Sequence, residues 1–87
     1  MVNAVIMNDD DTVVTVTRRI SSGDIVSYVL NGKIMSVKAV SEIPMYHKIA
    51  VKNVKKGNEI IKYGEKIGYA TDDIGIGEYV HTNNLNS

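Results

Sequence analysis

Residues 43–84 read IPMYHKIAVKNVKKGNEIIKYGEKIGYATDDIGIGEYVHTNN, and one spacing recurs within them: an aliphatic residue, a glycine three positions on, and a second aliphatic three positions beyond that. Val54, Gly57 and Ile60 carry it, and so do Ile74, Gly77 and Val80. Upstream, Ile20, Gly23 and Val26 form a further copy, while Ile43, Tyr46 and Ile49 keep both aliphatic ends with tyrosine in the glycine's place. The first aliphatic anchors a short turn or a single helical turn in the core, the glycine supplies a left-handed backbone step, and the second aliphatic begins the next strand. Four such corners in 87 residues predict a compact, much-folded all-β domain rather than a plain meander.

The rest of the chain agrees with that reading. Twelve Val and eleven Ile stand against two Leu, and stiff β-branched side chains suit a pleated sheet better than a helix. Thr12 to Val16 alternates like a core strand, and Asp9, Asp10 and Asp11 before it read as a solvated turn. Ile25 to Leu30 and Ile34 to Val40 flank Asn31-Gly32, a pair that tolerates positive φ and predicts a tight hairpin. Glu59 to Tyr63 and Lys66 to Ala70 predict a second hairpin, joined at Gly64-Glu65. The length and the absence of a linker indicate one domain over residues 1–87, with one modest core and little room for an enclosed active site of its own.

Composition narrows the function classes. The formal net charge is zero, so no global field draws the chain to nucleic acid or an anionic membrane. Without Phe or Trp, and with Tyr63, Tyr69 and Tyr79 read as strand residues capping the core, a base-stacking platform has little support. Cysteine is absent, which excludes disulfides and thiolate chemistry and fits a reducing, cytoplasmic setting. No apolar run reaches membrane-spanning length, the first residues lack signal-peptide features, and no membrane partner is expected. Gly75-Ile76-Gly77 lacks the rest of a nucleotide fingerprint and belongs to a corner.

The candidate chemistry gathers at corners and strand ends. His47, beside Lys48, lies where a side chain can leave a β scaffold toward a ligand or partner, and imidazole can serve as a metal ligand or a proton donor near neutral pH. His81 ends the last strand and opens a polar run through Thr82, Asn83 and Asn84, the kind of rim on which a site is built. Two histidines do not complete a metal site, so a metal bound through His81 would be shared with another chain. The lysines all fall between Lys33 and Lys66, while acids concentrate nearer the two ends. Lys48 and Lys62 are the candidates for holding an anionic substrate, whereas Lys52, Lys55, Lys56 and Lys66 read as solvated decoration of strand faces.

From Ile43 onward the chain closely resembles the SAF domain of altronate and galactarate dehydratases, which also occurs as a separate small subunit in related two-chain enzymes. The resemblance rests on His47-Lys48 after Pro44, on Lys62-Tyr63-Gly64 with Ile67-Gly68, and on His81 followed by Asn84; Asp11-Thr12-Val13-Val14 and the first corner extend it over nearly the whole chain. It implies a compact SAF-type β-clip. It also implies a small subunit of a hydro-lyase of carbohydrate acid metabolism, inactive alone, which completes the substrate site of a large dehydratase subunit. The substrate would be an anionic sugar acid, and a divalent metal, Fe2+, would be held mainly by the large subunit. Within that picture His47 and His81 would be catalytic, supplying a proton, a ligand or a substrate hydrogen bond, with Lys48, Lys62, Asn83 and Asn84 binding substrate. Sulfolactate sulfo-lyases share the two-chain layout and form a sister group.

Two departures stand out: Tyr46 replaces the family's usual glycine, and Asn83 stands where a second histidine often completes an H-x-H-N pattern, an amide being a much poorer metal ligand than imidazole. They keep a non-catalytic binding role open, since SAF-like domains also serve in sialic-acid synthases, antifreeze-type proteins and flagellar assembly chaperones. A small cysteine-free domain can also gain stability by self-association through strand edges, a homo-oligomer when isolated.

Overall fold

The computed structural model describes residues 2–86, and its strands run in the order β1 (Ala4–Val5), β2 (Val13–Val16), β3 (Ile25–Leu30), β4 (Lys33–Lys38), β5 (Lys48–Ala50), β6 (Glu59–Lys62), β7 (Glu65–Ala70), β8 (Tyr79–Val80) and β9 (Leu85–Asn86). A four-stranded antiparallel sheet in the order β1-β2-β5-β8 forms the spine, flanked by the β3-β4 ribbon and by a three-stranded sheet ordered β6-β7-β9. Because side chains alternate across a strand, the spine has two buried faces. Val14, Val16 and Ile49 pack with Ile20, Val26, Tyr28 and Ile43 on one side. Val13, Ala50 and Val80 pack with Val54, Ile60, Ala70 and Ile74 on the other. Fully burying each of these Val or Ile side chains contributes roughly 1.5–3 kcal/mol, which gives a short chain two small cores on one sheet.

The corners are β-turns, and the described residues hold no helix. In each, the residue after the left-handed position donates to a carbonyl three back: Asp24 N to Ser21 O at 3.0 Å, His47 N to Pro44 O at 3.1 Å, Asn58 N to Lys55 O at 3.0 Å and Glu78 N to Gly75 O at 3.1 Å. The third turn residue has φ of 92° at Gly23, 67° at Tyr46, 88° at Gly57 and 94° at Gly77, as a type II turn requires. The corners also pair with one another: Ile20 bridges Ile43, and Val54 bridges Ile74. The first and third corners lead into the hairpins and the second and fourth deliver β5 and β8, so two similar halves meet along the spine.

Asn31 and Gly32, with φ of 52° and 77°, make the tight β3-β4 turn. The second hairpin turns one residue earlier than the sequence suggests, at Tyr63-Gly64, with φ of 54° and 78°. Tyrosine is a poor choice for a left-handed position, which is why Gly64-Glu65 reads as the turn in the sequence. Asp11 also differs from the reading of a solvated turn. Its side chain is fully buried, and its carboxylate accepts from Met7 N at 3.3 Å, Asn8 N at 3.2 Å and Gly64 N at 2.7 Å. A carboxylate surrounded by backbone donors can be buried without an ion pair, and here it ties the segment before β2 to the second hairpin turn.

Tyr46 occupies a left-handed position with its side chain 68% exposed, so it holds a strained backbone without the return of burial. Tyr46→Gly should therefore stabilise the fold by about 1 kcal/mol in urea denaturation, less whatever the freer unfolded chain returns.

Candidate functional site

The register of β5 against β8 assembles the site. Lys48 opposes Val80 and Ile49 opposes Tyr79, so the next pair outward in this antiparallel ladder is His47 with His81. Opposed residues share a face, and Tyr79 lies on that face two residues before His81. His47 is fixed on its other side by its own carbonyl, which accepts from Val16 N at 3.0 Å.

The three rings form a triangle. The His47 and His81 centroids are 5.3 Å apart and tilted by 49°, Tyr79 stacks on His81 at 5.4 Å with an interplanar angle of 8°, and His47 lies 5.6 Å from Tyr79. The Tyr79 hydroxyl is 2.6 Å from His47 Nδ1. With the proton of neutral His47 on Nε2, the phenol donates to Nδ1 and leaves Nε2–H as a donor; a protonated ring donates through Nδ1 instead. All three side chains are half-buried at the edge of the first core. The group can hold and move a proton or hydrogen-bond a polyol.

The chain bearing His81 is held by Asn84, whose side chain is buried and has both polar atoms engaged. Its Oδ1 accepts from His81 N at 2.9 Å and its Nδ2 donates to Tyr79 O at 2.9 Å. Asn84 is thus used in shaping the loop between β8 and β9 around the two ring-bearing residues, whereas Asn83 is exposed there. Lys48 leaves the sheet on the opposite face from His47, with Thr15 and Val80. Burial lowers its pKa, and the nearby charge of Lys62 lowers it further. The sequence candidates therefore divide into an imidazole group on one face and a lysine group on the other. Tyr79 is the member that sequence reasoning did not single out; its signal was the Tyr79-x-His81 spacing, which puts both rings on one side of a strand.

Metal binding has a limited basis in this chain. Among the described residues no cluster of three or more His, Cys, Asp or Glu side chains is placed to hold an ion, and the phenol beside His47 is already hydrogen-bonded to it. Two imidazoles fit a partial ligand set that another chain would complete. A cavity of about 340 Å³ is lined by Asn53, Asp73, Gly75 and Glu78 among others, and neither histidine lines it. Three of its polar side chains are engaged in the corners: Asp73 accepts from Lys56 N at 2.8 Å, Asn53 from Ile76 N at 3.0 Å and Glu78 from Gly75 N at 2.5 Å. Among the described residues, no helix is long and apolar enough to cross a membrane.

The family profile described as the altronate/galactarate dehydratase SAF domain matches residues 2–87. Altronate dehydratase of Bacillus subtilis is 42% identical over 50 residues, which cover 58% of this chain and 10% of that protein. The (2R)-sulfolactate sulfo-lyase subunit alpha of Paracoccus pantotrophus is 46% identical over 46 residues, 53% of this chain and 69% of that subunit. Its counterpart from Chromohalobacter salexigens is 28% identical over 87 residues, covering 97% of this chain and 93% of the subunit. The chain thus spans about a tenth of the altronate dehydratase it matches, and most of each alpha subunit.

Proposed function

The chain belongs to the altronate/galactarate dehydratase SAF domain family, and we propose that it is the small subunit of a sugar-acid hydro-lyase, closing the substrate site of a separate large subunit in the cytoplasm. The observation that carries this reading is the His47–Tyr79–His81 triangle, in which the pairing of β5 with β8 brings His47 to Tyr79 and His81 from more than thirty residues away. In the reaction a base on the large subunit removes the proton next to the carboxylate. The hydroxyl on the following carbon departs as water, taking a proton from His47 or His81, and the resulting enol becomes a keto acid. The phenol of Tyr79 orients His47 for that transfer, as a second group commonly fixes a catalytic imidazole. A divalent metal, Fe2+ by the family's pattern, would be held mainly by the large subunit, with His81 as its contact from this chain, and would polarise the departing hydroxyl. Asn83, exposed on the same loop, would reach a substrate hydroxyl.

A second reading has its own support: the alpha subunits of (2R)-sulfolactate sulfo-lyase are matched over most of their length. There the leaving group would be sulfite, and the same imidazole group would serve the substrate's hydroxyl or the departing sulfonate. Reconstitution tests both. The partner large chain, assayed with and without this subunit on altronate, galactarate and sulfolactate, should turn over substrate only with both chains present, and the substrate that reacts decides between the readings. Equal turnover without the subunit would leave it a binding module and end the enzyme-subunit proposal.

A further inference from the structure

A second polar group lies across the central sheet from the imidazoles. Thr15 and Lys48 oppose each other on β2 and β5, on the side of the second core. The β6-β7 hairpin is clamped against that side. Thr12 N donates to Ile61 O at 2.9 Å, the Thr12 hydroxyl accepts from Ile61 N at 2.9 Å, and buried Asp11 accepts from Gly64 N at 2.7 Å. These bonds bring Tyr63 against β2, where its hydroxyl donates to Thr15 Oγ1 at 3.1 Å, and Lys62 Nζ sits 5.0 Å from the centre of the Tyr63 ring.

Lys48 and Lys62 are both half-buried, and the charge of Lys62 bears on Lys48. Neither has an acidic partner: the ion pairs among the described residues are Arg19–Glu42 and Lys66–Glu59. Two like charges brought together in a partly desolvated place raise the energy of the fold, and an anion placed between them reverses the sign of that interaction. The paired hydroxyls of Thr15 and Tyr63 add neutral groups suited to the oxygens of such an anion.

We propose that Lys48, Lys62, Thr15 and Tyr63 form a seat for an oxyanion, the carboxylate or sulfonate of a small organic acid. It adds Thr15 and Tyr63 to the lysines and separates anion binding from the proton-handling face. It does not depend on the lyase reading, because every group in it belongs to this chain.

The test uses the isolated chain with isotope-labelled lysines, titrated with sodium sulfate, sodium acetate and sodium methanesulfonate against sodium chloride at matched ionic strength, and followed by NMR. The Lys48 and Lys62 signals should move along one saturable curve with the oxyanions and not with chloride. Lys62→Met should weaken the apparent affinity at least ~10-fold, as expected for loss of a charge-assisted hydrogen bond. Tyr63→Phe and Thr15→Val should each weaken it about 3-fold, in line with a neutral hydrogen bond. The folded state disfavours protonated Lys48, so its pKa lies below the usual lysine value, and affinity should fall as the pH rises through that lowered value. By the same sign, Lys48→Met removes a charge that folding disfavours and should lose the response without lowering the melting temperature. Shifts that follow ionic strength alike at Lys55, Lys56 and Lys66, or a response unchanged in Lys62→Met, would overturn the seat.

Discussion

Gly77→Ala is expected to remove more than ~4 kcal/mol of stability, a third or more of the total, whereas Gly57→Ala, at the same position of a sister corner, should remove only about 1–2 kcal/mol. Both glycines have left-handed backbones, with φ of 94° and 88°, so both substitutions incur the conformational cost of about 1–2 kcal/mol. They differ in surroundings. A Cβ on Gly57 would meet nothing within 4 Å, but one on Gly77 would overlap the Lys38 carbonyl oxygen and crowd its carbon at 3.3 Å. The Lys38 segment cannot retreat freely, because Val40 N donates to Gly77 O at 3.0 Å and Ala39 N to Asp24 O at 2.9 Å. On its other side Gly77 N donates to Ala50 O at 2.8 Å, which fixes the glycine to the spine. Relieving the overlap therefore means breaking hydrogen bonds on one side or the other, and the total should exceed ~4 kcal/mol, the scale of a severe core substitution. A domain of this length has roughly 4–13 kcal/mol in all. Urea denaturation of the two variants is the measurement; similar midpoints for both would mean that the contact with the Lys38 segment carries no energy.

That contrast also marks how far the sequence is legible. The aliphatic–glycine–aliphatic spacing gave the corners their positions because it encodes local needs, a buried anchor and a left-handed step, and Asn31-Gly32 gave a hairpin for the same reason. What approaches each corner is long-range, and nothing in Val54-Lys-Lys-Gly57 or Ile74-Gly-Ile-Gly77 says that only the second glycine lies beneath another segment. Asp11 is a similar case. In the sequence it ends a run of acids that looks solvated, and its burial depends on Gly64 N arriving from the distant hairpin. Tyr63 in the left-handed turn ran against propensity, and its hydroxyl bond to Thr15 offers a physical return for the strain.

The candidate site was half legible on the same grounds. His47 and His81 stood out by residue type and by their places at a corner and a strand end. Their adjacency required the β5–β8 register, and the role of Asn84 required its burial. The division of His47 from Lys48 follows from strand alternation alone, yet only the partners of each residue, Tyr79 for one and Thr15 with Lys62 for the other, turn that alternation into two distinct groups.

In the reconstituted two-chain enzyme, His81→Ala should lower kcat by ~10²–10⁴-fold, the usual contribution of a positioned acid or base, with a smaller change in KM. Tyr79→Phe should cost less. The phenylalanine ring can keep the stack on His81, so what is lost is the hydroxyl 2.6 Å from His47 Nδ1. A hydrogen bond of that kind contributes about 1–1.5 kcal/mol, which corresponds to about a tenfold fall in kcat. The two substitutions separate proton handling from scaffolding because neither removes a fully buried side chain: His81 and Tyr79 are half-buried, and Asn84 holds the loop through the His81 N–H and the Tyr79 carbonyl, groups that both variants retain. The melting temperature should thus change little while kcat falls. If His81→Ala and Tyr79→Phe leave kcat as it was and alter only the amount of large subunit bound, the triangle of rings is a docking element and the proton transfer belongs wholly to the other chain.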